Sequence, residues 1–112
     1  MPKKVLTVGA TPMTKPFIRK VLDISTGHIT FQDNEILGGD NTVIACEPVE
    51  AGFFVYLGTG SEALEHIQDV NEAGNMSPAF INILRWAVMV GCDIIKIDRD
   101  GELYEGLPTF EW

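Results

Sequence analysis

The chain has 112 residues, 46% of them hydrophobic and 21% charged, which is enough apolar content to close one core and excludes a disordered tail. The richest apolar stretch, Phe80 to Gly91, is broken by Asn82 and Arg85 and falls short of the roughly 18–20 continuous apolar residues of a membrane span. No apolar signal core follows Lys3 and Lys4, so a cytoplasmic location is expected, with Cys46 and Cys92 as free buried thiols.

The net charge of −8 is unevenly laid out. Residues 1–22 hold Lys3, Lys4, Lys15, Arg19 and Lys20 and no acid, whereas the rest holds all sixteen acids against Arg85, Lys96 and Arg99. A basic arm or edge strand, residues 1–16, is thus expected before an acidic domain, residues 17–112. Such a domain repels nucleic acid and anionic membrane, so neither is expected as a direct partner, and its field favours basic surfaces.

In chain order, Phe17 to Ile24 reads as a first strand ended by Ser25-Thr26-Gly27. Thr30, with Asp33 three residues on, predicts a capped helix over Phe31 to Leu37, stopped by Gly38-Gly39. Thr42 to Glu47 and Gly52 to Leu57 form a predicted antiparallel hairpin around Pro48-Val49-Glu50-Ala51. Thr59 and Glu62 suggest a capping box for a second helix, whose Ala63, Leu64, Ile67 and Val70 recur at helical spacing up to Gly74. Ser77-Pro78 starts a third, with Phe80, Ile83, Leu84, Ala87 and Val90 as its buried stripe. Asp93 to Asp98 and Glu102 to Tyr104 then flank the turn residues Arg99-Asp100-Gly101 as a last hairpin, and the tail through Phe110 and Trp112 is expected to fold back as an edge strand. The order predicts a single two-layer α+β domain: an antiparallel or mixed sheet of 4–5 strands with about three helices mainly on one face.

On the second helix, Glu62, Glu65, Asp69 and Glu72 step by three, four and three, aligning four carboxylates on one face with no basic interruption. Their rise spaces them about 5–6 Å apart, near the phosphate spacing of a nucleic-acid strand, so the row is a candidate partner-binding face. A solvated polar face is the plain alternative.

A second candidate, polar site comprises Ser25, Thr26 and His28 after the first strand, with Asp98, Arg99 and Asp100 at the last turn. Asp23, Ser25 and His28 supply triad residue types, but residues crowded into six positions seldom reach triad geometry, and the hydroxyls can equally satisfy loop amides. No catalytic residue is assigned. Cys46 has nothing in the sequence to bring His28 or His66 beside it. The two Cys and two His lack paired zinc spacing, and Asp98-Arg99-Asp100-Gly101-Glu102 is only half a calcium loop, with Leu107 where the final glutamate belongs, so no metal is expected. The glycines form no phosphate-binding fingerprint, and no cofactor is expected.

The stretches Asp23-Ile-Ser-Thr-Gly-His-Ile-Thr30, Glu50-Ala-Gly-Phe-Phe-Val-Tyr56, Gly91-Cys-Asp93, Asp98-Arg-Asp-Gly101 and Leu107-Pro-Thr-Phe-Glu-Trp112 resemble a family of small uncharacterised bacterial proteins carried on plasmids, prophages and other mobile elements. The resemblance covers roughly residues 20–112 and carries no activity. It implies a cytoplasmic accessory protein, a context in which small acidic proteins often block a host defence or regulatory protein. The sequence therefore favours a non-enzymatic acidic interaction protein, a mobile-element inhibitor or nucleic-acid mimic that binds a basic host protein. The alternative is a small enzyme or ligand-binding domain built on the two polar loops. A homodimer joined edge to edge through a terminal strand is a third arrangement.

Overall fold

A computed structural model describes residues 18–40 and 42–112, so the expected basic arm lies outside the described residues. Four strands form one mixed sheet: β1 (Val21–Ser25), β2 (Cys46–Val49), β3 (Gly52–Tyr56) and β4 (Ile94–Asp98), in the order β1-β4-β3-β2. β1 runs parallel to β4, and the other two pairs are antiparallel. Strand alternation puts Leu22, Ile95 and Val55 in one row across the sheet and Ile24, Ile97 and Phe53 in the next, and all six are buried. Each such side chain contributes about 1.5–3 kcal/mol on burial. The opposite face is more open, with Val21 and Tyr56 exposed.

Three helices, α1 (Phe31–Leu37), α2 (Gly60–Ala73) and α3 (Pro78–Met89), deliver Leu37, Ala63, Ile67, Val70, Phe80, Ile83, Leu84 and Ala87 to the same core. The two-layer α+β architecture expected from the sequence is the one observed. Thr30 and Asp33 make both bonds of a capping box on α1. Ser77 caps α3, its hydroxyl accepting the Phe80 N–H at 3.1 Å, and Pro78 opens the helix where its missing N–H costs nothing. Between them, Gly74 closes α2 in the left-handed conformation, φ 72°.

Several local expectations are corrected. β1 is found at Val21–Ser25, with Ile18 to Lys20 outside any strand. β2 lies later than expected and contains Pro48, tolerated because β2 is an edge strand and needs no donor on its outer side. Thr59 makes no side-chain cap bond, so the box expected with Glu62 is not formed. Val90 is the C-cap of α3 and is exposed rather than part of its buried stripe.

The largest correction concerns the C-terminus, where Glu102 to Tyr104 form no strand with β4. β4 is interior, its two edges already occupied by β1 and β3, so no hydrogen-bonding edge is left for a hairpin partner. The chain instead crosses β1 at Gly101, where a Cβ would overlap the Ile24 carbonyl. The Ser25 N–H then donates to the Glu102 carbonyl at 2.9 Å, and the Tyr104 hydroxyl donates to the Asp23 carbonyl at 2.7 Å. These contacts blunt the β1 edge as Pro48 blunts the β2 edge, against uncontrolled strand addition. The final segment is irregular rather than an edge strand.

Candidate functional site

Ser25 and Asp98 are register partners at the C-terminal ends of the parallel pair β1 and β4, so the loops that follow them leave the sheet at the same end. In open sheets with parallel strands this is the end at which ligands are commonly bound. A cavity of about 610 Å³ opens there, within the ~300–1,000 Å³ range of small-molecule sites. Ser25, Thr26 and Gly27 line one side, Asn34 of α1 and the β2–β3 turn another, and Arg99, Phe110 and Trp112 complete it. The hairpin register that pairs Val49 with Gly52 places Glu50 and Ala51 at the turn. Arg99 is then set beside them by its N–H, which donates to the Ala51 carbonyl at 3.1 Å.

His28 does not line this cleft. It is 1% exposed, with Nε2 accepting the Tyr104 N–H at 2.8 Å and Nδ1 donating to the Pro108 carbonyl at 2.7 Å. Since Nε2 accepts, the proton sits on Nδ1, and both nitrogens are used in holding the tail. The Phe110 N–H donates to the Gly27 carbonyl at 2.8 Å and the Trp112 indole N–H to the Ile29 carbonyl at 3.0 Å. The Trp112 ring meets Phe31 edge-on, centroids 5.7 Å apart. Tyr104 is half-buried, edge-on to Trp86 at 5.0 Å.

The other polar groups at this end are also engaged. The Ser25 hydroxyl accepts the Gly27 N–H at 2.9 Å, and Asp98 accepts the Asp100 N–H at 2.9 Å and pairs with Lys96 at 3.3 Å. Asp98 to Asp100 is thus an aspartate-stabilised turn. Thr26 and Arg99 line the cleft, whereas Asp98, Asp100 and His28 do not. Asn34, Glu50 and Phe110 belong to the cleft without having been assigned to a site from the sequence. Their sequence signals are a helix position, a turn residue and a tail aromatic, none of which announces a shared location.

Away from the cleft lining, Glu62, Glu65, Asp69 and Glu72 are exposed along α2, whose opposite stripe of Ala63, Ile67 and Val70 is buried. No ion pair among the described residues involves any of the four. His66, on the same helix, donates from Nδ1 to the Leu57 carbonyl at 2.7 Å and anchors α2 to the end of β3. Gln68 donates to Glu72 at 3.0 Å.

The thiols are free and half-buried rather than fully buried. Cys46 donates to the Leu37 carbonyl at 3.6 Å, and burial pushes its pKa up to about 11, away from the thiolate a nucleophile needs. Neither histidine bonds to it. Among the described residues no three Cys, His, Asp or Glu side chains gather as a metal site, and no helix is long and apolar enough to cross a membrane.

Fold and surface together define a small α+β domain: one open mixed sheet backed by helices, with a cleft at the strand ends and an acidic helix at its flank. Residues 21–112 match the model described as Family of unknown function (DUF5983) C-terminal domain, and the chain belongs to that family. No curated protein and no solved structure matches the chain.

Proposed function

We propose that the protein acts by binding rather than catalysis, presenting the acidic face of α2 to a basic surface of a partner protein in the cytoplasm. The observation that carries this reading is the exposed row Glu62, Glu65, Asp69 and Glu72, none of it neutralised by an ion pair among the described residues. Like charges at helical spacing cost a few tenths of a kcal/mol per pair, an expense that a basic partner would offset. Carboxylates repeating at phosphate-like intervals suit a groove that otherwise accepts nucleic acid, which makes this a nucleic-acid mimic. The mobile-element resemblance adds the context: an inhibitor of a host defence or regulatory protein. The test retains partners from a bacterial lysate on the purified protein, nuclease added, at about 50 and 500 mM salt. Wild type should hold a nucleic-acid-binding protein at low salt and release it at high salt, and the Glu65→Lys, Asp69→Lys variant should hold none. Equal retention by a folded variant ends the proposal.

A second reading, a ligand-binding domain, is favoured by one observation: the two polar loops leave adjacent parallel strands at the same end and border one cavity. With His28 and Asp98 committed to the tail and the turn, this reading is of ligand capture, not acid–base chemistry.

A further inference from the structure

We propose that the cleft at the C-terminal ends of β1 and β4 takes a free aromatic α-amino acid, an inference that rests on the ligand-binding reading of that cleft and names its ligand class. The lining carries one cation, Arg99, and one acid, Glu50, on adjacent backbone segments joined by the Arg99 N–H to Ala51 carbonyl bond of 3.1 Å. Both side chains are exposed, and they form no ion pair with each other or with any other described residue. Both are therefore available at one cavity to a ligand that itself carries a carboxylate beside an ammonium: guanidinium for the first, carboxylate for the second.

The remaining walls select the side chain. Phe110 and Trp112 line the cavity, and Trp112 is still 53% exposed although its ring meets Phe31 edge-on, so aromatic surface remains open to a ligand. Its N–H is taken by the Ile29 carbonyl, so the ring contributes surface and not a donor. The Thr26 hydroxyl and the Asn34 amide have no side-chain hydrogen bond among the described residues and can meet a ring substituent. A peptide terminus offers only one of the two charges, because its other group is an amide. A free amino acid is the ligand class that uses both.

The test is calorimetric titration of the full chain with L-phenylalanine, 3-phenylpropanoate, which lacks the ammonium, phenethylamine, which lacks the carboxylate, and L-alanine, which lacks the ring. Saturable binding of L-phenylalanine is expected, weakened about tenfold or more in each analogue and in Arg99→Ala and Glu50→Ala, with circular dichroism unchanged because both side chains are exposed. Amide shifts confined to the cleft should accompany it. If an analogue lacking one charge binds as tightly, or Arg99→Ala binds normally, the zwitterion assignment fails while the cleft reading stands. If none of the four ligands binds the folded protein at about 10 mM, where even weak millimolar sites are largely filled, the amino-acid assignment fails, and the cleft reading fails with it only if a chemically diverse fragment set also leaves the cleft amides unshifted.

Discussion

Asp33 of α1 and Ser77, the N-cap of α3, are joined twice across the molecule: Asp33 Oδ1 accepts the Ser77 N–H at 2.8 Å and Oδ2 accepts the Ser77 hydroxyl at 2.5 Å. The same carboxylate accepts the Thr30 N–H at 3.0 Å and is fully buried. One side chain thereby closes the α1 capping box and orients the hydroxyl that caps α3. Asp33→Ala should cost about 2–4 kcal/mol, since it strands several buried donors at once. Ser77→Ala should cost about 1 kcal/mol more than an ordinary surface change. Urea unfolding of both variants and the double variant checks this, and the pair should be less than additive.

His28 holds the tail, so His28→Ala should release it. Loss of the bonds to Tyr104 and Pro108 predicts a destabilisation of about 2–4 kcal/mol, with faster hydrogen exchange at the Tyr104 and Phe110 amides and red-shifted Trp112 emission. A variant whose tail amides stay protected would show that the imidazole is dispensable to the fold.

Gly101 lets the chain pass over the end of β1. A Cβ there meets the Ile24 carbonyl and backbone, which cannot give way as a flexible side chain would. Gly101→Ala should lower the unfolding midpoint markedly, whereas Gly106→Ala, with open space around it, should leave it nearly unchanged. Thermal melts of the two variants side by side provide the comparison.

Cys46 should resist alkylation. A pKa moved from 9.0 to about 11 by burial reduces its thiolate at pH 8 by roughly 100-fold relative to an unperturbed thiol. The sign follows from the shift: the folded state favours the protonated thiol, so this site's contribution to stability is intact below pH 9 and declines as pH rises from 9 towards 11. Iodoacetamide labelling followed by peptide mapping should find Cys46 slow in the native protein and fast in urea.

The acidic row should be mildly unfavourable to the fold. Glu65→Gln with Asp69→Asn removes like-charge neighbours one turn apart and should raise stability by a few tenths of a kcal/mol at low salt, the gain shrinking as salt rises. Denaturation at two ionic strengths measures it. A loss of stability would mean that the carboxylates make favourable contacts.

Local chemistry made much of this protein legible from its sequence. Thr30 with Asp33, and Ser77 with Pro78, set helix starts because capping is decided within four residues. The periods of Ala63, Ile67 and Val70, and of Phe80, Ile83, Leu84 and Ala87, set the buried faces because a helix repeats every 3.6 residues whatever it packs against. The hairpin joining β2 and β3 likewise follows from two β-rich runs around a short turn.

What only the tertiary structure decided depends on which strand becomes a neighbour of which. Placing β4 between β1 and β3 denied Glu102 to Tyr104 a hairpin and sent the tail across β1 to His28. The parallel pairing of β1 with β4 brought the Ser25 and Asp98 loops to one end, and the neighbouring β3 set the Arg99 backbone against Ala51 in the β2–β3 turn although the two lie far apart in the chain. Sequence spacing carries no information about such contacts, because they arise from sheet order, and sheet order is selected by how the whole apolar core closes.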